Sequence, residues 1–207
     1  CYFEPFKGKA ERPMILNLES GGFMKLAPNR FDAEFDAQSE KPGEQRLEKM
    51  VSGRYMGELF GMAIAELLGE KGKKYGFTSI DMSNIILDET AGLTEVGRIV
   101  SAKTGHDLEE VDRQRLQELA SAFVVRSARL VTATYVGIIW QLAGDDAIKK
   151  QHIAIDGSVY EKMPLAKENI MRALSELLGE SASLVDTVLE NGGSGLGAAI
   201  AAAMSQK

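Results

Sequence analysis

Three glycines at four-residue intervals, Gly53, Gly57 and Gly61, lie inside a stretch whose apolar residues recur at helical steps. From Glu44 to about Gly69, residues such as Leu47, Met50, Met56, Leu59, Phe60 and Ile64 follow the three- and four-residue spacing of an amphipathic helix. Each interior glycine costs such a helix roughly 1 kcal/mol against alanine. Three of them on one line imply that another backbone, or a ligand, lies close to that face. The chain must therefore build a fold in which something approaches this helix at backbone distance.

The other elements fall on either side of that helix. Tyr2 to Pro5 and Met14 to Ser20 read as two short strands of a hairpin, ended by Gly21 and Gly22. Phe23 to Gly43 is polar loop with a helical turn around Phe31 to Ala37. Ser79 to Leu87 and Thr94 to Thr104 are short helices separated by a break at Ala91-Gly92. Leu108 to Gly144 is one long helical stretch, apolar in its later part, with a break expected near Leu119 to Ser121. His152 to Ile155 is a strand, Leu165 to Leu178 an amphipathic helix and Leu184 to Leu189 a strand. The Gly192 to Gly197 turn then leads into an Ala-rich helix, Ala198 to Met204. Two strands, then helices, then strand and helix twice make an α/β chain: a mixed sheet flanked by helices, with additional long helices. At 207 residues and 44% hydrophobic composition, the core suffices for one large domain, or one and a half small ones. Trp140 and the helically spaced methionines are read as core.

The polar residues with chemical reach fall in four places. Asn17 and Glu19 share one face of the second strand, about 7 Å apart by strand rise. Gln45 and Glu48 stand three apart on one helix face. Carboxylates accept hydrogen bonds and side-chain amides both donate and accept, so these four suit a neutral ligand with many hydroxyls, such as a pyranose. The plainer reading of Glu44 and Glu48 is acidic residues favoured at a helix start. Asp156-Gly157-Ser158 is a turn after a strand, able to offer an amide and a hydroxyl to a phosphate. Gly193-Ser194-Gly195-Leu196-Gly197 sits at a strand-to-helix junction, where glycines let a ligand approach the backbone. It lacks the Lys-Ser/Thr of a Walker loop and the spacing of a dinucleotide fingerprint. His106 and His152 are isolated, without metal-ligand spacing, and Ser127 and Thr132 to Thr134 are read as packing contacts.

Net charge of −6 and a pI of about 5.1 argue against a nucleic-acid surface. Lys71, Lys73 and Lys74 form the one local basic excess and read as a solvated helix end. The lone cysteine, Cys1, excludes a disulfide within the chain and makes a reducing compartment the default. The first ten residues carry no signal-peptide pattern. The most apolar stretch, Ala128 to Ala143, is interrupted by Arg129 and Gln141 and too short to span a bilayer. A cytoplasmic protein with no membrane partner is expected.

Taken in order, the motifs resemble the eukaryotic-type hexokinase and glucokinase family. The resemblance is carried by Met14-Ile15-Leu16-Asn17-Leu18-Glu19, Pro42 to Met50, Ser52-Gly53-Arg54-Tyr55-Met56-Gly57-Glu58, Val125 to Leu130, Asp156 to Tyr160 and Gly193 to Ala199. It runs from Cys1 to Met204 and implies the ribonuclease-H-like (actin-like ATPase) fold. By the resemblance, Asn17, Glu19, Gln45 and Glu48 match sugar-hydroxyl ligands. Arg54, Ser79 and Ser83 match positions near the nucleotide, and Gly157, Ser158, Gly193, Ser194 and Gly195 match turns that hold ribose and phosphates. The implied activity is transfer of the ATP γ-phosphoryl group to the 6-hydroxyl of glucose or a related hexose in glycolysis, with Mg²⁺ carried by the nucleotide.

Two departures from the family pattern stand out. Ser20 occupies the position after the sugar-binding Glu where the family has Trp. The family's first phosphate loop, sugar-specificity segment, catalytic Asp and Gly-Thr-Gly-Thr turn have no match in residues 1–207. The chain is thus expected to be the C-terminal hexokinase domain, incomplete at its N-terminus, inactive in isolation and partnered by the missing N-terminal portion. A cut hairpin would leave an edge that invites association into an oligomer. A non-catalytic sugar- or nucleotide-binding regulatory domain is the alternative expectation.

Overall fold

A computed structural model describes residues 18–190 and, beyond them, residues 192, 195, 197, 199, 202 and 203. Of the expected hairpin, Tyr2 to Pro5 and Met14 to Asn17 lie outside the described residues, as does most of the Ala198 to Met204 helix. Eight helices and two strands follow within them: α1 (Arg30–Gln38), α2 (Arg46–Val51), α3 (Gly53–Leu67), α4 (Ser79–Ile86), α5 (Thr94–Thr104), α6 (Glu110–Ala143), β1 (Gln151–Ile155), α7 (Ser158–Lys162), α8 (Ala166–Leu178) and β2 (Val185–Leu189). The Gly57 face of α3 is indeed approached by backbone. A Cβ there would lie 2.5 Å from the Phe77 carbonyl oxygen and 2.6 Å from Thr78 Cα. The chain entering α4 thus runs directly over the glycine row.

The apolar residues form two clusters joined by α6. The first gathers Met56 and Phe60 of α3, Met82 of α4, Val96 of α5 and Phe123 of α6, all buried. Phe60 meets Phe77 and Phe123 edge-on, with ring centroids 5.5 and 6.1 Å away. The second cluster gathers Val136 and Ile139 of α6 with Tyr160, Leu174, Ile155 and Val185. Here β1 and β2 pair in parallel from Gln151↔Val185 to Ile155↔Leu189, with α7 and α8 forming the crossover between them. Parallel strands require such a crossover.

Several expectations are corrected. The strand assigned through Ser20 does not reach it: Glu19 is left-handed (φ 45°) and Ser20–Gly22 is a 3₁₀ turn. The expected single helix from Glu44 to Gly69 is two, because Ser52 is extended and caps α3. No break occurs at Leu119–Ser121, where α6 is continuous and buried Ala120 fits the first cluster. The 34-residue α6 is also long and apolar enough, by length and composition, to cross a membrane, unlike the shorter stretch read from sequence. It gives buried residues to both apolar clusters and packs most extensively against α8. Trp140, read as core, is 54% exposed in the last turn of α6. The described part of the sheet is the parallel pair, and the hairpin that would make the sheet mixed lies outside the described residues.

Candidate functional site

The break between α2 and α3 organises the site. Ser52 turns the chain, and its hydroxyl accepts a hydrogen bond from the Arg54 N–H at 3.3 Å. Gly53 opens α3 against α7, so close that a Cβ would meet Val159 Cγ2 at 2.7 Å. From α6, the Ser127 hydroxyl donates to the Val51 carbonyl at 2.9 Å. This elbow lies at the seam between the two apolar clusters, and a cleft opens on each side of it.

The first cleft, of 730 Å³, is lined by Gln45, Glu48, Arg54, Tyr55, Lys73, Lys74 and the backbone from Tyr75 to Ser79, among others. Gln45 is left-handed (φ 48°) and precedes α2 as its N-cap rather than lying within a helix, which corrects the sequence reading. Glu48 is the third helical residue. Both side chains face Gly21: a Cβ there would lie 2.8 Å from Gln45 Oε1 and 3.2 Å from Glu48 Cβ. The Ser20–Gly22 turn therefore rests on Gln45 and Glu48, two residues after Glu19. Two of the four expected hydroxyl ligands, Gln45 and Glu48, are brought to one place, while Glu19 lines neither cleft; Glu19 and Gln45 both hold left-handed backbones. Such conformations are sparsely populated for residues with side chains and persist only where the surroundings impose them.

The second cleft, of 430 Å³, runs between the elbow, α6 and the β1–α7 turn. Its polar lining includes Ser52, Arg54, Ser79, Ser127, Tyr135, Gly157 and Ser158, and among the described residues Arg54 is the one charged residue that lines it. A single cation among hydroxyls and apolar walls suits an anionic group carried on a flat apolar body. Burial, and secondarily the nearby Tyr160, push the Tyr135 phenol above its ordinary value, so it stays a neutral hydroxyl at physiological pH. The Tyr160 hydroxyl is engaged with Thr187 Oγ1 at 2.7 Å, tying α7 to β2. Gly53, Arg54 and Ser79 line both clefts.

Residues 2–204 match the sequence model of the hexokinase family. The chain belongs to that family. Hexokinase-2 of Candida albicans is 32% identical over 95% of this chain and 44% of its own length. Hexokinase-7 of Oryza sativa subsp. japonica is 36% identical over 93% and 46%. The chain thus spans less than half the length of these hexokinases. A solved hexokinase from Schistosoma mansoni, complexed with glucose, superposes with a TM-score of 0.71 at 22% identity, covering 86% of this chain and 42% of that one. At that identity the likeness is one of fold, the actin-like ATPase fold of the hexokinases.

Set against this family, the expected site residues divide as follows. Gln45 and Glu48 line the first cleft, Gly157 and Ser158 the second, and Arg54 and Ser79 both. Ser83 lies one turn beyond Ser79 on α4 and lines neither cleft. Gly195 is helical and also lines neither. Asn17, Gly193 and Ser194 lie outside the described residues. Ser127, read as a packing contact, lines the second cleft and braces the elbow, and Lys73 and Lys74 line the first. No periodicity marks a serine on a buried helix face as a brace; the one signal at Ser127 is its place in the Val125 to Leu130 motif. His152 pairs with Asp186 across the two strands at 2.5 Å, away from both clefts.

Proposed function

We propose that this chain is the part of an ATP-dependent hexose kinase that supplies hexose-hydroxyl ligands and one wall of the nucleotide cleft. The whole enzyme would transfer the ATP γ-phosphoryl group to the 6-hydroxyl of glucose or a related hexose. The observation that carries this reading is the packing of Gly21 on Gln45 and Glu48, which joins the turn after Glu19 to α2 beside a cleft that shares Arg54 and Ser79 with its neighbour.

Glu19, Gln45 and Glu48 orient the sugar by accepting from its hydroxyls, and the Gln45 amide also donates. Arg54 offsets phosphate charge where the two clefts meet, while Ser79, Gly157 and Ser158 offer hydroxyl and backbone groups. ATP, when bound, supplies the phosphoryl group, and its Mg²⁺ travels with it. Among the described residues, no group of three His, Cys, Asp or Glu side chains is placed to hold a metal. The general base is assigned to the family's N-terminal portion, and loss of such a base alone typically costs about 10²- to 10⁴-fold in rate. The isolated chain is therefore expected to bind without turnover.

The test is a coupled phosphorylation assay with glucose and ATP, on the chain alone and mixed with the N-terminal portion of a homologous hexokinase. Turnover only in the mixture supports the reading. Robust turnover by the chain alone overturns the assignment of the base. Calorimetry showing neither glucose nor nucleotide binding, with no turnover in the mixture, overturns the site itself.

A further inference from the structure

Lys49 and Asp36 form an ion pair at 2.6 Å, with side-chain exposures of only 8% and 16%. Both ends of the pair reach past each other to the turn between α1 and α2. Lys49 Nζ donates to the Lys41 carbonyl at 2.7 Å, and Asp36 Oδ2 accepts from the Gly43 N–H at 2.9 Å. The Lys41 carbonyl also accepts from the Glu44 N–H at 3.2 Å. The turn is thus fastened at Lys41, Gly43 and Glu44, and the next residue is Gln45, left-handed at φ 48°. Gln45 makes no capping hydrogen bond with its side chain, and its carbonyl accepts from the Lys49 N–H at 3.0 Å, so its backbone stands between the fastened turn and the first turn of α2.

We propose that Lys49 and Asp36 are positioning residues for the hexose ligands: their buried pair holds the 39–44 turn so that Gln45 keeps its left-handed backbone and turns its amide onto Gly21 beside Glu48. The inference rests on the reading of Gln45 and Glu48 as hexose ligands. It adds that their geometry is set by an ion pair of which Lys49 also lines the first cleft and Asp36 does not. A lysine one helical residue past Glu48 would ordinarily sit in solvent. Its burial against Asp36 places a desolvated charge where only a specific geometry compensates it.

The experiment measures glucose and nucleotide affinity by calorimetry for the chain, Gln45→Ala, Asp36→Asn and the doubly neutral Asp36→Asn/Lys49→Met, with folding checked by circular dichroism. The expected result is a glucose affinity about tenfold weaker in the double variant, within the coupling range of residues in one network, with nucleotide affinity unchanged. A purely structural role would move both affinities or neither. If Gln45→Ala weakens glucose binding while the folded double variant does not, the positioning role is overturned and the hexose site stands. If Gln45→Ala leaves glucose binding as in the wild type, or the wild type binds none, the hexose reading fails and this inference with it. Should the double variant not fold, Asp36→Asn and hydrogen exchange of the wild-type Gly43 amide decide. Strong protection at Gly43 that falls in Asp36→Asn supports the role, and an unprotected Gly43 amide overturns it.

Discussion

The Ser127 hydroxyl donates to the Val51 carbonyl at 2.9 Å across 76 residues of sequence. Val51 ends α2, so its carbonyl lacks the helical partner it would have in an unbroken helix. The bond pins the elbow from which both clefts open. Ser127→Ala removes it at a cost of about 1 kcal/mol. The urea midpoint is expected to fall accordingly, and nucleotide affinity to fall with it, because Ser127 lines the second cleft. Equilibrium unfolding and calorimetry on the same variant check both.

Gly57→Ala tests the close approach of two backbones. The new methyl would lie 2.5 to 2.6 Å from the Phe77 and Thr78 main chain, which has no flexible side-chain end to give way. Overpacking of this kind costs about 1–3 kcal/mol. A lowered melting temperature is expected, whereas Gly137→Ala on α6, with no neighbour within 4 Å, should raise or preserve it.

Acid should destabilise the fold through three carboxylates, Asp36, Asp81 and Asp88. Burial pushes each upward, but their partners outweigh it and hold all three below the ordinary 3.8. For Asp36 the partners are Lys49, the Gly43 N–H and Arg46; for Asp81, Thr78 and Lys103; for Asp88, Thr90 and the Val96 and Glu95 N–H groups. A carboxyl lowered by folding binds its proton more tightly in the unfolded chain. Its stabilisation is complete above the unfolded value and drains away as pH falls through the lower folded value. Urea midpoints should therefore hold steady at neutral pH and fall below about pH 4. Asp88→Asn should lower the neutral-pH midpoint and flatten that acid limb.

Arg54→Ala removes the one cation that lines the second cleft among the described residues. Hydrogen bonds to charged groups are worth about 1.5–3 kcal/mol, so ATP affinity should fall between about ten- and a hundredfold. Glucose affinity should change much less, because Gln45 and Glu48 are held by α2 and the turn before it. Paired calorimetric titrations check the separation.

Helices α3 to α6 and α8, both described strands and the glycine row were legible because periodicity reports burial on a face, and burial fixes these elements; the five-residue α7 is too short to show a period and reads as a turn. The elbow was not. Apolar spacing runs on from Met50 and Val51 to Met56, and the only local sign of a break was Ser52 as a cap. Gln45 reads as helical because it adjoins the periodic run, and its left-handed backbone follows a turn tied by the Asp36 and Lys49 contacts, which apolar spacing does not report. Trp140 was assigned to the core by residue type alone, and its exposure has no account in the described structure. Of the candidate residues drawn from motif order, Gln45, Glu48, Arg54, Ser79, Gly157 and Ser158 line a cleft, and Glu19, Ser83 and Gly195 line neither. The division of the site into two clefts sharing Gly53, Arg54 and Ser79 was visible only in three dimensions.

The helix α6 gives Phe123 to one apolar cluster and Val136 to the other without interruption. Neither cluster can melt without stripping its share of packing from a helix whose remaining turns the other still needs. The two are therefore bound into one cooperative unit. Heat should dissolve them in a single transition, with calorimetric and van't Hoff enthalpies in agreement. A ligand gripped in either cleft would then raise the melting point of both.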